Sequence, residues 1–92
     1  MSRKITNQAV KAFLNDGIFK KDNTSVENGR MFLHGNKIAE KRKDGLYISL
    51  AGWNTVTTRE RLNGLPGVRI QQKNYVPYLN GNAINSREWY KI

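Results

Sequence analysis

Apolar residues recur at helical spacing near the start of the chain, and then the period breaks into short runs separated by paired turn residues. Ala9, Val10, Phe13 and Leu14 share one helical face, which predicts a helix over residues 6–16. Thr6 is the expected N-cap, with Ile5 and Val10 placed to staple the first turn. Gly17 supplies a left-handed stop, after which Ile18 folds back onto the helix.

Between residues 24 and 50 the turn signals Asn28-Gly29, Gly35-Asn36 and Asp44-Gly45 follow one another at hairpin spacing. They predict an antiparallel meander with strands near 24–27, 30–34, 37–43 and 46–50. Two-residue turns at those positions would set Phe32, Ala39, Leu46, Ile48 and Leu50 on one sheet face. Val26, Met31, Leu33, Ile38 and Tyr47 would then fall on the other. Both faces are partly apolar, which calls for a β-bulge or for a cover on each side.

Thr57-Thr58-Arg59-Glu60 reads as a capping box with Thr57 as N-cap, and Asn63-Gly64 ends the helix after two turns. A helix that short must dock, through Leu62 among others. Downstream, 68–70 and 75–79 read as extended, Asn80-Gly81 as a turn, and 89–92 as a last strand. Pro77 has no N–H to give a ladder, so its strand is expected at an edge. The prediction is an α+β fold in one domain, residues 1–92: an antiparallel β-sheet meander, an N-terminal helix covering one face, and a short second helix.

Charge adds a functional direction. The 92 residues carry 16 Lys and Arg against 7 Asp and Glu, a formal net charge of +9, with no Cys and one His. Such an excess on a small chain repels itself and suits an anionic partner, phosphate backbone or an acidic protein surface. Without Cys there are no disulfides or thiolate ligands, so apolar packing holds the fold. His34 has no partner at ligand spacing, and the acidic residues form no catalytic pair, so neither an enzyme nor a metal or cofactor site is expected. The first residues, Met1-Ser2-Arg3-Lys4, open into a polar periodic segment, not a signal peptide or a transmembrane span.

Lys41-Arg42-Lys43, beside the expected Asp44-Gly45 turn, forms the densest basic cluster and would project as a finger toward phosphates. The plainer alternative is a solvated tip. Arg59 and Arg61 on the short helix are the other candidate phosphate readers, their alternative being pairing with Glu60. Lys20, Lys21 and an Arg3-Lys4 tail add a diffuse positive field. Aromatic rings interleave with this charge, as on single-strand platforms, although a small chain needs most of its rings inside. Tyr47 and Tyr78 are the rings expected at the surface.

The run Trp53-Asn54-Thr55-Val56-Thr57-Thr58-Arg59-Glu60-Arg61-Leu62-Asn63, with Asn23-Thr24 and Leu33-His34-Gly35-Asn36 upstream, resembles small proteins of tailed phages. The nearest resemblance is to anti-CRISPR inhibitors of the type I-F (Csy) surveillance complex. It implies an inhibitor acting by occupancy in the host bacterial cytoplasm, with Cas proteins and their guide RNA as partners and no membrane or small-molecule substrate. A basic chain cannot mimic DNA, so contact with guide RNA or acidic Cas surfaces is the implied mode. The competing readings are a free-standing phage DNA- or RNA-binding regulator and a clamp on an acidic host protein.

Overall fold

The computed structural model describes residues 3–92, and of Arg3 the backbone alone. Helix α1 (Arg3–Leu14) leads into strands β1 (Phe19–Lys21), β2 (Thr24–Glu27), β3 (Arg30–Leu33), β4 (Asn36–Arg42) and β5 (Gly45–Ile48). Helix α2 (Val56–Asn63) follows, then β6 (Ile70–Lys73), β7 (Val76–Leu79), β8 (Asn82–Ala83) and β9 (Tyr90–Lys91). One sheet runs in the order β1-β2-β3-β4-β5-β9 and a smaller one in the order β6-β7-β8. The α+β meander with two helices is thus observed, with β1 as an additional first strand.

α1 begins three residues before the expected cap. Thr6 lies inside it and is buried, and the apolar stripe extends back to Ile5, alongside Ala9, Val10 and Phe13. Arg3 and Lys4 therefore open the helix and form no tail. Leu14, assigned to the same stripe, is exposed. At the other end the left-handed residue is Asp16 (φ 55°), and Gly17 N–H donates to Ala12 O at 2.7 Å. That is the Schellman closure, displaced by one residue from the glycine stop.

The turns decide the register. Asn28 and Gly29 both have positive φ, as a type I′ turn needs, and Glu27 faces Arg30. The next two turns fall one residue earlier than expected, at His34-Gly35 and at Lys43-Asp44, with Leu33 facing Asn36 and Arg42 facing Gly45. Histidine tolerates the left-handed region better than most residues, so His34-Gly35 closes the β3–β4 hairpin. A bulge in β4 then places Met31 opposite Ala39 but Phe32 opposite Lys37, with Ile38 the extra residue.

This bulge corrects the predicted faces. Ile38 and Ala39, neighbours in sequence, are both buried, together with Val26, Met31, Leu33 and Ile48. Phe32 and Tyr47 point the other way. α1 and α2 cover the buried face: Phe13 is fully enclosed, a burial that stabilises by roughly 2–3 kcal/mol.

α2 is capped by Thr55 and not by Thr57, since Thr58 N–H donates to Thr55 Oγ1 at 3.2 Å. Its last turn lies so close to α1 that a Cβ on Gly64 would sit 2.7 Å from Thr6 Cγ2 and 2.9 Å from Val10 Cγ2. Glycine is needed there for close approach, at an ordinary φ of −74°. Leu62 is fully buried, as its docking role requires. Asn63 then holds the smaller sheet: its side chain donates to Ile70 O (3.0 Å) and accepts from Ile70 N–H (2.6 Å).

Pro77 corrects another expectation, because β7 is the middle strand of the smaller sheet. Ile84 N–H donates to Pro77 O at 3.0 Å, but Pro77 has no N–H to return the bond. The β7–β8 ladder stops at Asn82–Ala83 accordingly.

Candidate nucleic-acid interface

Strand alternation carries two rows of side chains across the uncovered face of the larger sheet. One row runs Lys20, Ser25, Phe32, Lys37, and the next runs Glu27, Arg30, Glu40, Tyr47, Lys91. Arg42, two residues beyond Glu40 on β4, and Trp89, two residues before Lys91, complete the surface. Among the described residues no helix lies on this side.

The rows are knitted together by charge and rings. Lys37 Nζ reaches Glu40 Oε1 at 2.8 Å and Arg42 Nε reaches Glu40 Oε2 at 2.8 Å, with Arg30 Nε 3.7 Å from the same carboxylate. The Arg42 guanidinium stands 4.1 Å from the Tyr47 ring centre and 5.4 Å from that of Trp89. Lys37 Nζ lies 5.6 Å from the Trp89 ring. Tyr47 donates its hydroxyl to Asp44 at 2.7 Å, and Lys91 Nζ is 3.7 Å from Asp44.

Protonation follows from these contacts. The Lys37 hydrogen bond and then that of Arg42 hold the Glu40 carboxyl at about 2. The bond to Glu40 raises Arg42 further above its already high value. The Tyr47 hydroxyl lowers Asp44, and that carboxylate in turn raises Tyr47. Five basic side chains (Lys20, Arg30, Lys37, Arg42, Lys91) thus surround the carboxylates of Glu27 and Glu40, with Asp44 at the rim.

Of the residues singled out from sequence, Lys20, Arg42 and Tyr47 belong to this face. Lys43 is exposed at the tip of the β4–β5 turn, and Lys21 is exposed on edge strand β1 with its register partner Thr24 on the covered side. Three assignments are corrected. Lys41 alternates to the covered side, where Nζ donates to Leu14 O (3.0 Å) and Asp16 Oδ1 (2.9 Å) and so closes the C-terminal end of α1. Arg61 is buried beneath α2, with Nε donating to Thr24 Oγ1 (3.0 Å) and Nη1 to Thr6 Oγ1 (2.6 Å). Arg59 is half-buried and bonded to Asn54 O (3.1 Å) and Gln72 Oε1 (3.0 Å), away from the open sheet face.

The rings are also distributed differently from expectation. Trp53 is 57% exposed and Tyr75 90%, whereas Tyr47 and Tyr78 are half-buried. Phe13 is the one aromatic side chain among the largest fully buried ones; the rest of that core is aliphatic or Thr. Phe32, Lys37, Trp89 and Lys91 were not among the candidates from sequence. The correct hairpin register would have found the first two, since it pairs them directly.

A small basic α+β protein presenting a cationic, aromatic sheet face is what fold and surface define together. The chain belongs to the Kyanoviridae Gp96 protein family, whose model matches residues 2–91, and it is thus a small phage protein. No curated protein and no solved structure matches it. Among the described residues no helix is long and apolar enough to cross a membrane, and no group of three or more His, Asp or Glu side chains is placed to hold a metal ion.

Proposed function

We propose that this phage protein binds single-stranded nucleic acid across the open face of its larger sheet. The observation that carries the reading is the stack of Arg42 on Tyr47 beside Trp89 and Lys37, on a face that no described helix covers. Only Nε of the Arg42 fork is engaged by protein among the described residues, so its two terminal nitrogens are available to phosphate. Rings supply stacking surfaces that accept any base, and the surrounding cations track the backbone. Sequence preference is not required for such binding, and no catalytic step is proposed.

A narrower reading makes that strand the guide RNA of a type I-F surveillance complex, met in the host bacterial cytoplasm, with the protein acting as an anti-CRISPR inhibitor. It rests on the resemblance of the 53–63 segment and on the phage family, and it uses the same face. The test is fluorescence anisotropy with labelled single-stranded DNA and RNA over a salt series. Three or four phosphate contacts on a single strand give a log–log slope of about −2 to −3. Arg42→Glu with Trp89→Ala should weaken binding at least about tenfold. A flat salt response, or full affinity in the double variant, would remove the reading. Binding to the assembled complex with none to naked strands would favour the inhibitor.

A further inference from the structure

Resting on the single-strand reading, a second feature adds to it. Trp53 borders two depressions. On one side it faces Lys37, Trp89 and Arg87 at the end of the open sheet face. On the other it walls a cleft of about 400 Å³ whose apolar lining includes Leu33, Ile38 and Leu50, with Asn36 and Thr57 among its polar groups. That combination of apolar walls with a few polar groups is how small planar ligands are held, and the volume lies at the small end of such sites.

The ring is held out by a constrained turn. Ala51 (φ 54°) and Gly52 (φ 82°) both take left-handed backbone, Trp53 N–H donates to Leu50 O at 2.8 Å, and Gly52 N–H donates to Ser86 O at 2.7 Å. An L-residue such as Ala51 is disfavoured in that region, and backbone strain of this kind gathers at sites that hold ligands. The bulge at Ile38 contributes as well, because it turns that side chain toward the cleft side while Lys37 stays on the open face.

We infer that the cleft takes one unstacked nucleobase from a strand lying on the sheet face, with Trp53 as the stacking wall and Asn36 and Thr57 meeting the base edge. The cations on the near side of Trp53 place the phosphates, so the strand has a continuous route from the platform into the cleft. A base pocket at the end of a general platform would give this protein base preference that the platform alone lacks.

The test uses the full chain with a mixed-sequence single strand of ~12 nucleotides, within the site sizes of such platforms, and an abasic strand of equal length. Methyl NMR reads the signals of Leu33, Ile38 and Leu50 during each titration. The base-bearing strand should shift them, whereas the abasic strand should move only signals of the sheet face. Trp53→Ala should cost about tenfold in affinity for the base-bearing strand and leave the abasic strand unaffected. Because Trp53 is largely exposed, the variant should melt near wild type, and Thr57→Val offers a second probe through altered base preference. Binding that shifts the sheet face but not the cleft methyls, with Trp53→Ala binding as wild type, overturns the pocket and leaves the platform standing. No binding of either strand overturns both.

Discussion

Tyr75 sits at the second position of the β6–β7 turn with φ 66°, after Asn74 at φ 52°. The turns at 28–29, 34–35, 51–52 and 80–81 share this left-handed pair, and each places glycine second. A left-handed L-residue costs roughly 1–2 kcal/mol, and a bulky one is uncommon there. Tyr75 is 90% exposed, so little packing is lost when it is removed. Tyr75→Gly relieves the strain and restores the favoured Asn-Gly pair, but the freer unfolded chain takes back roughly 0.4–1 kcal/mol. The net expectation is a stabilisation of about 0.5–1 kcal/mol. For a domain of this size, melting shifts by roughly 4–8 °C per kcal/mol, so calorimetry should record a rise of about 2–8 °C. Tyr75→Ala keeps its Cβ and the strain, and should stay within about 0.5 kcal/mol of wild type. A glycine variant that melts no higher than wild type, or an alanine variant that rises as far, would refute the account. If the rise is found, folding does not explain a tyrosine at that tip, and contact with a partner becomes the reason to test.

Arg61→Ala should destabilise by about 2–4 kcal/mol in urea, since it strips the hydroxyls of Thr6 and Thr24 of a buried donor and leaves a cavity; an unchanged midpoint would contradict the buried placement. Glu40 has its carboxyl lowered from 4.5 to about 2 on folding, so its contribution is fully present above about 4.5 and is lost as pH falls toward 2. The stability gap between wild type and Glu40→Gln should therefore close as pH drops through that window, whereas a constant gap would argue against the Lys37 and Arg42 contacts. The neighbouring lysines should separate cleanly. Lys41→Glu should lower the melting temperature by placing a carboxylate against the C-terminal end of α1, while Lys43→Glu should leave it near wild type. Equal melting for the two would mean that Lys41 is as free as the tip.

Local chemistry made much of the fold legible in advance. The spacing of Ala9, Val10 and Phe13 announced α1, and Asn28-Gly29 and Asn80-Gly81 marked hairpin turns. Those signals act over a few residues, so they survive without knowledge of the rest of the chain. Register does not. Moving the β3–β4 turn from Gly35-Asn36 to His34-Gly35 shifts the pairing by two residues and leaves the faces as they were, whereas the one extra residue at Ile38 moves every following side chain to the other face. Only the packed structure chose, because the bulge at Ile38 lets Ile38 and Ala39 both reach the core while Phe32 and Lys37 face outward. The roles of basic residues were equally hidden. Lys41 and Arg42 are neighbours in sequence, but one closes a helix end while the other lies on a tyrosine ring. Strand alternation separates them, and the helices packed on one side of the sheet determine which becomes structural and which faces solvent.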